Sequence, residues 1–106
     1  MRSRRLVPIA ALLSLAAMAV PAQAATIQIV MENLVILPAE TSVKAGDIIE
    51  WINKDVFAHT ATAQNGDFDV TMPPKKTVTS VVTKPGTVDY YCRFHPNMKA
   101  VLIVAP

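Results

Sequence analysis

Apolar and polar residues alternate in short runs along the chain after residue 25, a pattern that indicates β-strands with one buried face. Between residues 48 and 53, for example, Ile49, Trp51 and Asn53 share one face of the strand. No window keeps a sustained helical period. We predict strands at 26–31, 34–38, before the Gly46-Asp47 turn, at 48–53, 59–63, 77–83 and 88–92, and in the last nine residues.

Turn-forming residues separate these runs, and the spacing predicts an all-β domain of about seven or eight strands, either a sandwich or a barrel. The stretch "VTMPPKK" is not assigned a strand because Pro73 and Pro74 interrupt it. Trp51 and Tyr90 are the expected large residues of the core. The domain is small, and a bound metal that stabilises its fold is therefore plausible on size alone.

The first 24 residues differ from the rest of the chain. Basic "MRSRR" precedes the apolar run "LVPIAALLSLAAMAV", and small residues stand at Ala22 and Ala24. We interpret residues 1–24 as a secretory signal peptide, cleaved before Ala25, and residues 25–106 as an exported, periplasmic domain. The alternative is an uncleaved N-terminal anchor, but the apolar run is short for a membrane span, so we expect no stable membrane insertion.

Removal of this segment changes the charge of the chain. The whole sequence of 106 residues has a net charge of +2, but three of its ten basic residues lie in residues 1–24 and none of its eight acidic ones. Residues 25–106 then carry seven basic and eight acidic residues, a net charge of −1. No basic stripe remains, and we expect no nucleic-acid partner.

The single cysteine stands in the stretch "YYCRFHPNM", where Cys92, His95 and Met98 follow one another at intervals of three residues. One other histidine, His59, begins an earlier predicted strand. Loops converge at one end of a β-sandwich, so His59 can meet this stretch. Two imidazoles, a thiolate and a weak axial thioether are the ligands of blue-copper electron-transfer sites. Zinc sites more often take further cysteines or a carboxylate.

Each of these residues has an alternative interpretation when it is considered alone. A single thiol cannot form an intrachain disulfide, and Cys92 could instead be reactive, intermolecular or a buried small hydrophobe. A lone histidine is more often a solvated or hydrogen-bonded residue, and a lone methionine more often fills a core. The joint pattern favours a copper site formed by His59, Cys92, His95 and Met98.

At these residues the sequence resembles the cupredoxins, and most closely their amicyanin-like and plastocyanin/pseudoazurin-like members. The resemblance covers essentially all of residues 25–106. It rests on the stretches "VKAGDIIEWIN", "FAHTAT" and "KPGTVDYYCRFHPNM". The short spacing from Cys92 through His95 to Met98 is similar to that of amicyanins rather than plastocyanins.

The resemblance implies a Greek-key β-sandwich with one type 1 copper at one end. It implies His59, Cys92 and His95 as equatorial ligands and Met98 as the axial ligand. His95 would be the electron exit, beneath an apolar patch for which Phe57, Met72, Pro73, Phe94 and Pro96 are candidates.

The resemblance also implies a function, namely a soluble one-electron carrier that cycles between Cu(II) and Cu(I) and is not an enzyme. Its partners would be transient redox proteins, such as a dehydrogenase and a c-type cytochrome, and the chain itself would be a monomer. A copper chaperone or buffer is the alternative, although the sequence has no methionine cluster or histidine-rich tail. A metal-free binding module would make the four-residue pattern a coincidence.

Two residues depart from the family pattern. Thr60 follows the first histidine where the family often has Asn, and Ala100 stands where it often has Gly. The backbone N–H of Thr60 can still donate to the Cys92 sulfur. We expect the loss of the Asn side chain to loosen the connection between the two ligand segments and to shift the potential of the site.

Overall fold

The computed structural model describes residues 23–106, so nearly all of the predicted signal peptide, residues 1–24, lies outside the described residues. The described part contains nine β-strands. They are β1 (Thr26–Glu32), β2 (Val35–Leu37), β3 (Glu40–Lys44), β4 (Ile48–Asn53), β5 (His59–Ala63), β6 (Asp69–Met72), β7 (Thr77–Val81), β8 (Gly86–Tyr91) and β9 (Lys99–Ala105). None of residues 23–106 belongs to a helix that is long and apolar enough to cross a membrane.

The strands form two sheets. One has four strands in the order β2-β1-β4-β7, and the other has five in the order β3-β9-β8-β5-β6. Two pairs, β1 with β4 and β3 with β9, are parallel, and the other pairs are antiparallel. The chain passes repeatedly from one sheet to the other between successive strands. The predicted Greek-key β-sandwich is confirmed.

The strand that the sequence did not predict is β6. Its residues pair with β5 in register, with Thr62 opposite Asp69 and His59 opposite Met72. Pro73 and Pro74 follow the strand directly and do not interrupt it. Proline is compatible with this position because β6 is the last strand at its edge of the sheet.

The core lies between the sheets and is formed by the faces that the alternation predicts. Ile49, Trp51 and Asn53 are all buried on one side of β4. Tyr90 meets Trp51 edge-on, with ring centroids 5.5 Å apart. The Trp51 indole N–H donates to the Ser80 hydroxyl at 2.8 Å, so its polar atom is satisfied inside the sandwich. Trp51 and Tyr90 therefore occupy the central positions predicted for them.

The pairing of β5 with β8 decides where the candidate ligands meet. The two strands are antiparallel neighbours, with Thr62 opposite Tyr91. The start of β5, at His59, consequently lies beside the end of β8, which Cys92 follows directly. Residues 92–98 then connect β8 to β9 at the same end of the sheet.

Candidate metal centre

Three of the four predicted ligands come together at this end of the sandwich. One donor atom each from His59, Cys92 and His95 lies within 4.8 Å of the other two. The Cys92 Sγ is 3.7 Å from His59 Nδ1 and 3.8 Å from His95 Nδ1. A nitrogen and a sulfur that bind one ion at about 2.0 and 2.3 Å in a trigonal plane are about 3.7 Å apart. The observed separations therefore suit a single shared metal ion.

Met98, the fourth predicted ligand, is buried in the same turn. Its side chain is 3% exposed and belongs to the core cluster that also contains Cys92. Backbone hydrogen bonds close the turn: Met98 N–H donates to the His95 carbonyl at 2.9 Å, and Cys92 N–H donates to the Met98 carbonyl at 3.0 Å. The His95 N–H donates to the Cys92 carbonyl at 3.3 Å. Three candidate ligands are thus held on one short hydrogen-bonded segment.

Asp55 orients the imidazole of His59. Its carboxylate lies 2.7 Å from His59 Nε2. A carboxylate only accepts hydrogen bonds, so Nε2 carries the proton and Nδ1 keeps its lone pair on the side of Cys92. Burial by itself would raise the pKa of Asp55, but the hydrogen bonds from His59, Asn33 and Leu34 outweigh it and lower that pKa. The acceptor for the His59 N–H is consequently kept ionised.

Asn53 supports the segment that connects Asp55 to His59. Its side-chain oxygen accepts the Asp55 N–H at 2.9 Å, and its amide nitrogen donates to the carbonyls of Phe57, Met72 and Pro73. Asn53 is also almost completely buried. The roles of Asn53 and Asp55 were not predicted from the sequence. An acidic residue four positions before His59 is a weak signal in a loop, where sequence spacing does not fix contact.

Thr60 makes two hydrogen bonds to the other ligand segment. Its backbone N–H donates to Cys92 Sγ at 3.3 Å, as the sequence analysis expected. Its hydroxyl oxygen also accepts the backbone N–H of Arg93 at 2.8 Å. The hydroxyl itself therefore joins the two segments, a contact that the expectation of a looser connection did not include; the expected shift in potential stays a prediction. Ala100, the second departure, packs its methyl group in the core.

The surface beside His95 is largely aromatic. The rings of Phe57 and His95 have centroids 5.4 Å apart, and His95 itself is half-buried. Phe57 and Phe94 are 42% and 51% exposed. Pro73 and Pro96 are exposed as well. Met72 was also predicted to belong to this patch. That prediction is wrong, because its side chain is completely buried in the core.

The donor set fits a copper ion. Soft thiolate and thioether ligands suit Cu(I), and imidazoles accept both oxidation states. His59 and Cys92 are completely buried, which keeps bulk water away from two of the donors. No further group of three His, Cys, Asp or Glu side chains that could hold a metal ion occurs within residues 23–106.

Comparisons with known proteins identify the family of this chain. A family model described as a cupredoxin-like domain matches residues 5–104. The amicyanin of Paracoccus versutus is 32% identical over 95 residues, which cover 84% of this chain and 70% of the relative. The amicyanin of Paracoccus denitrificans is 30% identical over 71 residues, covering 61% of this chain, and the chain spans about half, 54%, of that relative.

Solved amicyanin structures superpose on the same domain. The crystal structure of amicyanin from Paracoccus versutus has a TM-score of 0.61 at 28% identity and covers 81% of this chain and 85% of its own. A reduced-state amicyanin mutant has a TM-score of 0.63 at 27% identity and covers 74% and 81%. A Cu(I) form of another amicyanin mutant has a TM-score of 0.64 at 25% identity and covers 74% and 81%. The chain therefore belongs to the cupredoxin family and is amicyanin-like.

Proposed function

We propose that this protein is a periplasmic one-electron carrier and that His59, Cys92, His95 and Met98 would together hold one type 1 copper. An amicyanin-like cupredoxin is expected to be an electron carrier rather than an enzyme. The observation that carries the proposal is the meeting of the Cys92 sulfur with the Nδ1 atoms of both histidines.

A copper ion bound by these residues would accept one electron as Cu(II) and release it again as Cu(I). The residues around the site hold its donors in one arrangement for both states. Asp55 keeps Nδ1 of His59 available, and Thr60 donates its N–H to the Cys92 sulfur. The hydrogen-bonded turn fixes His95 and Met98 relative to Cys92. A site that is held in this way changes little in geometry when an electron arrives or leaves.

His95 is the proposed route for the electron because it is the least buried member of the set. Its ring lies against Phe57, and both Phe57 and Phe94 present aromatic surface to solvent. An apolar surface of this kind favours brief docking of a redox partner. We infer that a monomer docks here on an electron donor, such as a dehydrogenase, and then on an acceptor, such as a c-type cytochrome.

Export to the periplasm rests on residues 1–24, which have the basic start, the apolar run and the small residues of a cleavable signal peptide. The first strand, β1, begins at Thr26. Cleavage before Ala25 would consequently leave every strand of the described domain intact.

The experiment is a titration of the purified domain with Cu(II), followed by visible spectroscopy. We expect a blue thiolate-to-copper charge-transfer band at one copper per chain, which Cys92→Ser abolishes. Cyclic voltammetry should then show a reversible one-electron couple. Stoichiometric copper binding without the band would contradict the proposal, and transfer of that copper to an acceptor protein would instead favour the chaperone alternative.

A further inference from the structure

A chain of hydrogen bonds runs from the candidate metal centre to the protein surface. The Thr60 hydroxyl lies 2.9 Å from the Thr62 hydroxyl. The Thr62 hydroxyl in turn lies 2.8 Å from Asp69 Oδ1. Thr60 and Thr62 share one face of β5, and Asp69 is the cross-strand neighbour of Thr62 on β6. Thr60 is completely buried, whereas the Asp69 side chain is 52% exposed.

The chemistry of the acceptor fixes the direction of every bond in this chain. The Asp69 carboxylate can only accept, so the Thr62 hydroxyl donates its one proton to it. Thr62 then has no proton left, and the Thr60 hydroxyl must donate to Thr62. Thr60 Oγ1 therefore accepts no bond from Thr62, and it accepts the Arg93 N–H, which lies 2.8 Å away. The order runs from the Arg93 amide through two hydroxyls to the carboxylate.

The side chain of Arg93 also contacts Asp69, at the other end of the chain of hydrogen bonds. Its Nε donates to Asp69 Oδ1, the same oxygen that accepts from Thr62, at 3.3 Å. Both the backbone and the side chain of Arg93 are thus held by groups on β5 and β6. Arg93 directly follows Cys92, so its backbone position bears on where the Cys92 sulfur lies.

We propose that Asp69 is a remote positioning residue for the Cys92 sulfur and acts through Thr62, Thr60 and the Arg93 amide. The proposal rests on the proposed copper site only for its effect on potential, and the hydrogen-bond chain itself is a property of the protein. Asp69 touches neither Cys92 nor a histidine in this arrangement.

Two effects make the carboxylate more than a surface charge. Hydrogen bonds in series polarise one another, so an anionic end strengthens the bond from Arg93 at the other end. The carboxylate also takes the Thr62 proton, so Thr60 Oγ1 accepts only from the Arg93 N–H and is not shared with a second donor. Without Asp69, Thr62 can donate to Thr60, and the segment after Cys92 is held less firmly beside the Thr60 N–H that contacts the sulfur.

The test compares Asp69→Ala and Thr62→Val with Asp89→Ala. Asp89 is an exposed residue of β8, and its replacement removes the same charge as that of Asp69. The first readout is hydrogen exchange of the Arg93 amide, followed by NMR on the reduced protein, which is diamagnetic with or without copper. We expect exchange to be roughly tenfold faster in Asp69→Ala and Thr62→Val, here called the relay variants, because each loses about one net hydrogen bond. Asp69→Asn, which keeps an oxygen acceptor, should restore much of the protection.

The second readout is the reduction potential of the copper-loaded protein. Hydrogen bonding around the cysteine sulfur tunes this potential. A weakened N–H bond to the sulfur makes the thiolate a better donor to Cu(II), so both relay variants should have a lower potential. Loss of a nearby negative charge alone would raise the potential, and Thr62→Val changes no charge. A protein that carries both Asp69→Ala and Thr62→Val should have nearly the same potential as either single variant, because both substitutions break the same chain of hydrogen bonds.

The outcomes separate this proposal from the proposed function. Arg93 exchange that is the same in Asp69→Ala as in Asp89→Ala would overturn the relay, whether or not copper binds. A higher potential in Asp69→Ala, with no change in Thr62→Val, would reduce Asp69 to a surface charge and overturn its positioning role. If the wild-type protein gives no blue band while Arg93 exchange still depends on Asp69, the electron-carrier proposal fails and the relay stands.

Discussion

Asp55 is the residue that connects the candidate metal centre to the rest of the sandwich. Besides His59, its carboxylate accepts the backbone N–H groups of Asn33 at 2.8 Å and Leu34 at 3.2 Å. These two residues form the turn between β1 and β2 and have φ angles of 53° and 63°. Such left-handed backbone is costly for a bulky side chain such as leucine. Asp55 therefore stabilises an unfavourable turn and orients a candidate ligand with one carboxylate.

We predict that Asp55→Ala weakens copper binding about 10- to 100-fold, the usual effect of removing the hydrogen-bond partner of a ligating histidine. The free energy of unfolding should also fall by about 2 kcal/mol, because partly buried donors lose their acceptor. Competition with a chelator of known affinity measures the first effect, and urea unfolding measures the second. Asp89→Ala is the control of equal charge. Copper affinity equal to that of the control would show that His59 keeps its orientation without Asp55.

At the scale of the strands, much of the architecture could be predicted because each strand buries one face. Alternation places Ile49, Trp51 and Asn53 inside and indicates where β4 begins and ends. It does not indicate which strands pair, because the same alternation suits parallel and antiparallel neighbours. The parallel pairing of β1 with β4 could therefore not be predicted from the sequence. The strand β6 was missed because Pro73 and Pro74 were taken to interrupt it. They follow the strand instead, at an edge of the sheet where no ladder hydrogen bond is lost.

The same limit applies to the candidate site. The candidate ligands could be proposed from the sequence because Cys92, His95 and Met98 are close in sequence and their chemistry is specific. The supporting contacts depend on distances across strands. The hydroxyl of Thr60 reaches Arg93, 33 positions away, only because β5 lies beside the end of β8. Residue types alone indicate that Thr60 differs from the family pattern, but not that its hydroxyl makes the connection in another way.

Asp47 lies in the turn between β3 and β4 and joins three strands. Its carboxylate accepts the N–H groups of Lys44, at the end of β3, and of Ala25, before β1. Its backbone carbonyl accepts the N–H of Val82, just after β7. The hydrogen bond from Lys44, and then that from Ala25, lowers the pKa of Asp47 below its ordinary value of 3.8. The ionised carboxylate is therefore the form that the fold prefers.

This direction sets the pH dependence of stability. Because the pKa of Asp47 is lower in the folded than in the unfolded chain, its contribution is complete above pH 3.8 and is lost as the pH falls through the folded pKa. We predict that Asp47→Asn is less stable than the wild type at pH 6 and that the gap narrows as the pH falls below 3.8. Urea unfolding at pH 6, 4, 3 and 2 measures this. A constant gap between the two proteins over that range would contradict the prediction.

At the scale of the whole molecule, the proposed cleavage changes the chemistry of the chain terminus as well as its charge. The nitrogen of Ala25, which would become the terminal amino group, is the atom that lies 3.0 Å from Asp47 Oδ1. In the uncleaved chain this nitrogen is a neutral amide. After cleavage it is an ammonium group below about pH 8, and a charged donor forms a stronger hydrogen bond with a carboxylate. Maturation would therefore turn an amide contact into an ion pair that fastens the start of β1 to the β3–β4 turn.

We predict that a chain beginning at Ala25 has a higher Tm at pH 6 than one that retains Gln23 and Ala24. The ion pair raises the pKa of the terminal amino group in the folded state, so the added stability is present below the ordinary value of about 8 and declines as the pH rises above it. Calorimetry of both chains at pH 6 and pH 10 measures the effect, and the difference should disappear at pH 10 and in Asp47→Asn. Equal Tm values at pH 6 would mean that the terminal ammonium and Asp47 remain separately solvated, and that cleavage leaves the stability of the sandwich unchanged.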